Sequence, residues 1–252
     1  MRNSRIRSFI AVFILVVFMI GLAVTIFLKS DVQKKLVLND GWTVEYKGKS
    51  FEGVSLNSFD LNEKCNRGDI IKLKKTLDLS EIDEEDFTMR IYTRLSALKV
   101  KLADRVIYDY FGDWENTKAF VGSAYHFVIL PFDLQNKEIE ITITATENGA
   151  YSSLPVVVVS PSDKAYSDFA NEREIGMMMS IFLMVAGFAM TVISVFGMTW
   201  DEDFKPILMI GLFAFLSGIW SFFAMKGAEL FSNRFVFNSL VEYVALYIMP
   251  IP

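Results

Sequence analysis

Cysteine and histidine are almost absent from this sequence, which has one of each, Cys65 and His126. One cysteine cannot form an intrachain disulfide, and this pair cannot supply the four-ligand sets of structural zinc sites. The sequence also lacks a G-x-x-x-x-G-K-[ST] phosphate loop, a G-x-G-x-x-G dinucleotide fingerprint and a G-x-S-x-G nucleophile turn. We therefore expect no metal site, no cofactor and no enzyme activity from these residues.

Basic residues are also too few for a nucleic-acid-binding protein. The sequence has 25 Lys and Arg against 30 Asp and Glu, so its formal net charge is −5. Binding to nucleic acid requires clustered Lys and Arg, and no nucleic-acid partner is expected. The mean hydropathy is +0.34 although 22% of the residues are charged, which indicates apolar segments alternating with a polar domain.

Long apolar runs occur in four places, at residues 8–28, 175–200, 206–225 and 235–252. A helix of about 20 apolar residues is long enough to cross a bilayer, so each run predicts a transmembrane helix. Arg2, Arg5 and Arg7 precede the first run, and the positive-inside rule keeps residues 1–7 in the cytoplasm. The first run is predicted to be an uncleaved signal anchor, with a cleaved signal peptide as the alternative.

Small and charged residues within the later runs carry further expectations. Gly187, Gly197, Gly211 and Gly218 predict close helix packing, although membrane helices also tolerate glycine without it. Glu242 lies in the fourth run, where a carboxylate is costly and either faces other helices or lies near the membrane surface.

Between residues 31 and 171 the apolar pattern has period two, which indicates β-strands. In "KEIEITITA", Ile139, Ile141 and Ile143 alternate with polar residues. Similar patterns occur in "FTMRIYTRL", "ALKVKLADRVIYDY", "GDIIKLKKTL", "AYHFVIL" and "LPVVVV". Several short strands separated by turn residues predict a β-sandwich, and about 140 residues are enough for one such domain.

The segments "DGWTVEYKG", "GDIIKLKKTLDL", "LKVKLADRVIYDYFG" and "VGSAYHFVILPFD" resemble extracellular jelly-roll, galactose-binding-like domains of bacterial seven-transmembrane sensors. The segment "GIWSFFAMKGAELFSNRFVFNSLVEYVALYIMPIP" resembles the matching stretch of membrane-bound diguanylate cyclases from Gram-positive anaerobes. In that family an anchor helix, a jelly roll and a membrane bundle precede a cytoplasmic output domain, which often makes cyclic di-GMP. No GGDEF-type motif is present here, so the resemblance implies an N-terminal fragment whose fourth helix, ending at Pro252, is incomplete.

The expected fold is therefore a membrane protein of mixed class. It has an extracellular all-β jelly-roll sandwich at 31–171, between an N-terminal transmembrane helix and an α-helical transmembrane bundle. Residues 160–176 are expected to transmit a signal between the sandwich and the bundle. The expected location is the plasma membrane, with several membrane passes and residues 31–171 outside the cell.

The candidate ligand-binding residues are aromatic and acidic side chains near predicted loops. Sugar recognition uses flat rings beside carboxylates, which points to Trp114, Tyr110, Asp113 and Glu115, and we expect Trp114 to be exposed. Trp42 and Tyr125 are expected to belong mainly to the core. His126 is predicted to be structural, Asp69 a turn residue, and the acidic run at 80–87 a solvated loop with no calcium-binding pattern.

These expectations describe a sensor that binds an extracellular ligand and relays its presence to a cytoplasmic output such as a diguanylate cyclase. The expected partners are the lipid bilayer, a ligand for which carbohydrate is the first class to test, and a second copy of the chain. An outward-facing glycosidase is one alternative, although no carboxylate pair across a cleft is evident in the sequence. An envelope protein used for adhesion or assembly is the other.

Overall fold

The structure is a computed structural model that describes residues 35–61, 65–78, 86–103, 105–131, 137–199 and 201–249. The predicted cytoplasmic segment 1–7, the predicted anchor 8–28 and the chain end at Pro252 lie outside these residues, as does most of the acidic run at 80–87. The chain divides into two compact units, one of which is Val32–Asp168. The described part of the other lies within Phe169–Pro252.

The described part of the unit Val32–Asp168 is built from ten strands, one short helix and the first residues of the helix Ala165–Glu172. The strands are β1 (Leu36–Leu38), β2 (Trp42–Tyr46), β3 (Lys49–Val54), β4 (Ile70–Thr76), β5 (Phe87–Thr93), β6 (Ser96–Leu102), β7 (Arg105–Tyr110), β8 (Ala124–Leu130), β9 (Glu138–Ala145) and β10 (Val157–Pro161). The short helix α1 is Trp114–Thr117. The strands predicted from "AYHFVIL", "KEIEITITA" and the other alternating segments are confirmed.

The strands form a two-sheet β-sandwich in which neighbouring strands are antiparallel. One sheet has the order β1-β10-β5-β8, and the other has the order β3-β2-β4-β9-β6-β7. Ile139, Ile141 and Ile143 are fully buried, as their spacing along β9 predicts, and Trp42 is buried with them. Burial of one such side chain contributes about 1.5–3 kcal/mol to folding, so this alternation is the main determinant of the sandwich.

The outer faces of the two sheets differ in chemistry. The six-stranded sheet carries a ladder of ion pairs, in which Lys74 lies 2.6 Å from Glu45 and 3.8 Å from Glu140. On the four-stranded sheet, the rings of Tyr92 and Tyr125 pack at a tilt of 42° with centroids 4.8 Å apart. Ile129 on the neighbouring stretch of β8 is 74% exposed. One outer face therefore carries a ladder of ion pairs, whereas the other carries aromatic side chains, with the guanidinium carbon of Arg90 5.9 Å from the Tyr125 ring centroid.

The helices that follow the sandwich are α2 (Ala165–Glu172), α3 (Glu174–Gly197), α4 (Lys205–Ala224) and α5 (Phe235–Ile248). A 3₁₀ turn, Glu202–Phe204, precedes α4, and another, Gly227–Leu230, precedes α5. The predicted transmission segment 160–176 contains the end of β10, the whole of α2 and the start of α3.

The prediction of an α-helical transmembrane bundle is wrong. Among the described residues only two helices, Glu174–Gly197 and Glu202–Ala224, are long and apolar enough to cross a bilayer, and helices in a soluble core pass the same test. Helix α5 has 14 residues, which at 1.5 Å per residue is about 21 Å and short of the roughly 30 Å that a crossing needs. The observed architecture is a two-sheet β-sandwich with a separate helical unit.

Glycine allows α3 and α4 to pack closely, as predicted. A Cβ atom on Gly218 would lie 2.6 Å from the backbone nitrogen of Met184, and one on Gly187 would lie 2.8 Å from the carbonyl oxygen of Gly211. The hydroxyl of Ser180 donates a hydrogen bond of 2.8 Å to Ser221 across the same contact. The two backbones therefore touch without intervening side chains, which is the packing that small residues permit.

Candidate functional site

The connection between β2 and β3 is a two-residue turn at Lys47 and Gly48. Their φ angles are +48° and +75°, and positive values at both positions are what a type I′ hairpin turn requires. Glycine adopts this conformation without strain, and lysine adopts it at a cost. The turn places Lys47 and Lys49 at the tip of the hairpin.

A second turn, at residues 66–69, leads into β4. The backbone N–H of Asp69 donates to the carbonyl of Asn66 at 3.0 Å, and the backbone N–H of Asn66 donates to Asp69 Oδ2 at 2.8 Å. Gly68 has a φ of +90°, a conformation that favours glycine. Asp69 is thus a turn residue, as predicted, but its carboxylate also reaches the β2–β3 hairpin.

The two turns border a cavity of about 520 Å³, which we call the Tyr46–Asp69 cavity. Its lining comes from the β2–β3 hairpin and from the start of β4: Glu45, Tyr46, Lys47, Gly48, Lys49, Ser50, Gly68, Asp69, Ile70 and Lys72. Strand register brings distant parts of the sequence together here, because Glu45 lies opposite both Ser50 on β3 and Lys72 on β4.

The carboxylate of Asp69 makes several polar contacts at this cavity. The Tyr46 hydroxyl donates to Asp69 Oδ2 at 2.9 Å, and Lys47 Nζ lies 3.4 Å from the same oxygen. Desolvation opposes ionisation of Asp69, but the bonds from Asn66 and Tyr46, with the charge of Lys47, outweigh it and lower its pKa. Burial raises the pKa of Tyr46, so its hydroxyl stays protonated and donates.

Glu45, the other carboxylate of the cavity, is also ionised. A hydrogen bond of 2.6 Å from Lys74 is the main cause that lowers its pKa. Neither Glu45 nor Asp69 therefore has the raised pKa that a general acid needs near neutral pH. The cavity offers ammonium donors, carboxylate acceptors and a hydroxyl, which suits the binding of a polar molecule.

The prediction that Trp114 is exposed is wrong. Its side chain is only 2% exposed, and its indole N–H donates to the carbonyl oxygen of Ala119 at 2.9 Å. The ring is covered because Lys118 Nζ lies 4.4 Å from its centroid, and Lys118 adopts a left-handed φ of +49° that turns the chain back. A tryptophan in a polar loop is therefore buried here by the loop itself.

The other three residues of the predicted ligand site share this loop but not one surface. Tyr110 is half-buried, and its hydroxyl donates to the carbonyl oxygen of Val121 at 2.6 Å. Asp113 and Glu115 are exposed, and Asp113 Oδ1 accepts a hydrogen bond of 2.5 Å from the side chain of Asn116. The polar atoms of both aromatic residues thus bond to backbone carbonyls, and a ligand role for this group stays a prediction.

Of the remaining residues named from the sequence, His126 and Trp42 lie in the core, whereas the prediction of a core position for Tyr125 is wrong, because it faces outward with Tyr92. His126 is fully buried between Thr93 Oγ1, at 2.7 Å from Nε2, and the Tyr108 hydroxyl, at 2.9 Å from Nδ1. Burial lowers the pKa of His126 to about 3, so the imidazole is neutral at physiological pH. Trp42 is fully buried and donates to the carbonyl of Leu38 at 2.9 Å, whereas Tyr125 is half-buried.

Sequence analysis missed the Tyr46–Asp69 cavity, although two local signals were present. The Lys47-Gly48 pair between alternating segments is a hairpin signal, and "NRGD" at 66–69 is a turn signal. Neither signal shows that the two turns meet, because that depends on the pairing of β2 with β4. Within the described part of the chain, no group of three or more His, Cys, Asp and Glu residues is placed to hold a metal ion.

Comparison with known proteins gives little further information. No protein-family model matches the sequence, and no curated protein matches it. An FMN-binding beta-glucuronidase from Facaelibacterium prausnitzii is similar at 13% identity and a TM-score of 0.34, over 51% of this chain and 22% of that chain. A family GH115 4-O-methyl-alpha-glucuronidase is similar at 14% identity and a TM-score of 0.21, over 39% of this chain and 14% of that chain. This chain thus spans less than a quarter of either enzyme, and these scores support no functional argument.

Proposed function

We propose that this chain is the sensing module of a bacterial signalling receptor, in which the β-sandwich binds a small extracellular ligand in the Tyr46–Asp69 cavity. The observation that carries the proposal is the cavity itself, where Asp69, Tyr46 and Lys47 from two turns form one polar cluster. Ligand sites of this kind are concave and have a few convergent polar groups. The resemblance to sensors that precede diguanylate cyclases supports a relay to an output carried outside these residues.

The surface of the helical unit supports attachment to a lipid bilayer. Only 22% and 11% of the most apolar stretches of its two long helices are buried, so most of their apolar surface needs another cover. Exposed side chains on these helices include Phe188, Phe196, Ile210 and Phe213. Hydrocarbon is a suitable cover for such a surface, and we therefore place the unit at the plasma membrane with the sandwich outside the cell.

The protonation of the cavity favours binding over catalysis. A glycosidase needs one carboxyl group that is protonated near neutral pH to act on the leaving group. In this cavity hydrogen bonds and neighbouring lysines lower the pKa of both Glu45 and Asp69. We therefore rank the sensor above the outward-facing glycosidase.

The proposal is tested with the full chain purified in detergent. Thermal unfolding is followed during titration with a panel of neutral and acidic sugars, in the wild type and in Asp69→Ala. A cavity ligand at about 100 times its Kd should stabilise the wild type by about 2.7 kcal/mol, and should stabilise the variant far less. Glu138→Ala, a change to an exposed carboxylate of β9 outside the cavity lining, serves as the matched control.

Two results would overturn the proposal. One is that no member of the panel stabilises the wild type. The other is that a sugar stabilises wild type and Asp69→Ala equally, which would place its site elsewhere. Membrane attachment is checked separately by liposome flotation, and a chain that stays at the bottom of the gradient would contradict it.

A further inference from the structure

The four-stranded sheet ends at β8, and this strand forms one edge of the sandwich. β8 pairs with β5 along its whole length, from Ala124 opposite Thr93 to Leu130 opposite Phe87. Among the described residues no other strand pairs with β8. Alternate residues of an edge strand direct their backbone N–H and C=O groups away from the sheet, where a further strand can bond to them.

The other three edges of the two described sheets carry features that hinder such pairing. β1 has only three residues. β3 contains Lys49 and Glu52, and its register shifts against β2. β7 contains Arg105 and Asp109, and its register shifts against β6. β8 instead has seven residues, an unbroken register and no charged residue, proline or glycine. Short length, charge and bulges are the usual protection of an edge, so β8 is the edge that can accept a strand.

The outer face of β8 also presents an apolar side chain to solvent. Val128 and Leu130 are buried in the sandwich, and Tyr125, Phe127 and Ile129 alternate with them on the outer face. Ile129 is 74% exposed, more than any other large apolar side chain described in the sandwich. Hydrocarbon could cover Ile129, but it cannot bond to the backbone groups of an edge. A β-strand meets both needs, so the occupant that fits is a strand.

The β8 strand of a second copy of the chain matches this edge. About a two-fold axis at Phe127, all seven residues overlap in an antiparallel pair, and any other offset overlaps fewer. Phe127 then lies opposite Phe127 of the second copy, and Tyr125 lies opposite Ile129 of the second copy. Opposite residues point to the same side of a sheet, so buried faces and outer faces stay aligned. An aromatic side chain opposite a β-branched one is a stabilising pair, and no charge on β8 repels its copy.

We propose that two copies of this chain associate through β8. Their four-stranded sheets join into one continuous antiparallel sheet, in which Tyr125 of each copy covers Ile129 of the other. This contact is separate from the Tyr46–Asp69 cavity, whose lining contains no residue of β8. An interface built on one strand pair is small, so the dimer should form in proportion to protein concentration.

Sedimentation velocity of the full chain in detergent, over a wide range of concentrations, tests the association. Ile129→Lys should weaken it by about tenfold or more, because each dimer loses two covered isoleucines and each edge gains a charge. The matched control is Val106→Lys, the same kind of change at a 45% exposed position on the edge strand β7. Circular dichroism checks that both variants are folded.

Disulfide cross-linking tests the register. Cys65 is the one native cysteine and is buried, so wild type under mild oxidation gives the background. Phe127→Cys should cross-link to its own copy, because the two Cβ atoms would lie about 5 Å apart. Ile129→Cys alone should not, because its two copies would lie about 13 Å apart along the strands. A mixture of Tyr125→Cys and Ile129→Cys should cross-link between the two variants.

The results separate this contact from the alternatives. A chain that stays monomeric at every concentration overturns the proposal, including the case in which the edge receives a peptide of another protein. A dimer that survives Ile129→Lys, or that Val106→Lys weakens equally, forms elsewhere on the molecule and overturns the β8 contact. A dimer in which Phe127→Cys does not cross-link overturns the pairing about Phe127. The sensor proposal would stand in each case, because it is tested by ligand binding in the cavity.

Discussion

The guanidinium carbon of Arg67 lies 5.3 Å from the ring centroid of Trp114, so the turn before β4 and helix α1 meet over one indole. Lys118 approaches the same ring at 4.4 Å. Long basic side chains can cover apolar surface with their stems while their charged ends reach solvent. Trp114 consequently anchors its loop by packing, although its sequence context predicts ligand contact.

Replacement of Trp114 by alanine should reduce the free energy of unfolding by about 3–5 kcal/mol, because it removes a large buried side chain and one hydrogen bond. Asp113→Ala in the same loop should change it by about 0.5 kcal/mol or less, because Asp113 is exposed. Urea denaturation of the full chain in detergent, followed by β-sheet circular dichroism, measures both. A Trp114→Ala variant as stable as Asp113→Ala would contradict the buried position.

The buried imidazole of His126 should make stability depend on pH. Its pKa is lowered to about 3 in the folded chain and is near 6.5 when unfolded, so between these values only the unfolded state takes up a proton. Stability from this group is therefore complete above about pH 6.5 and is lost as pH falls toward about 3, by at most about 1.4 kcal/mol per pH unit.

The variant His126→Gln isolates this effect from the carboxylates that titrate in the same range. It should be less stable than the wild type at pH 7, since its hydrogen bonds to Thr93 and Tyr108 are at best partly kept. The difference should narrow as pH falls from 6.5 to 4. Parallel stability curves across that range would show that His126 does not titrate on unfolding.

Glycine at the α3–α4 contact should be far less replaceable than glycine elsewhere in these helices. Gly218→Ala should cost about 1–3 kcal/mol, because the new Cβ would lie 2.6 Å from the backbone nitrogen of Met184, which cannot move without shifting α3. Gly176→Ala is the matched control, since its Cβ would meet only the end of the flexible Met225 side chain. Thermal unfolding followed at helical wavelengths should separate the two, and equal midpoints would argue against backbone contact.

Glu242 is held by an ion pair that joins α5 to the turn after α4. Lys226 Nζ lies 2.8 Å from its carboxylate, and the two side chains are only 6% and 21% exposed. Glu242→Leu alone should cost about 3–5 kcal/mol, because it leaves a buried ammonium group without this partner. Adding Lys226→Met should recover much of that loss, and a double-mutant cycle on thermal unfolding measures the coupling. Additive losses would show that the pair does not interact.

The sequence predicts most of the sandwich because period-two alternation is a local property. Ile139, Ile141 and Ile143 face the core as expected, since a one-residue shift of β9 would expose all three. The close packing at Gly187 and Gly218 is predicted for a similar reason, because the absence of a side chain is visible in the sequence. The apolar composition of a segment does not determine the length of its helix. Helix α5 ends at Ile248, and its 14 residues are too few for the predicted membrane crossing.

The candidate site is much less predictable than the fold. Asp69 can be recognised as a turn residue, but its contact with Tyr46 depends on which strands pair across the sheet. Trp114 has polar neighbours in the sequence, which indicate exposure. In the fold its indole N–H bonds to Ala119 and its ring is covered by Lys118. In both cases the contact that sets the position of the side chain is made with a residue that the local apolar pattern does not identify.

His126 also links the two sheets by a hydrogen bond. It lies on β8 of the four-stranded sheet and bonds to Tyr108 on β7 of the six-stranded sheet, as well as to Thr93 on its own sheet. Apolar contacts have no direction, so the aliphatic core alone would tolerate a small slide of one sheet over the other. A hydrogen bond has a required distance and angle, and such a slide would leave a buried nitrogen unpaired. The hydrogen bond between His126 and Tyr108 thus adds a directional constraint on sheet alignment to the apolar contacts of the core.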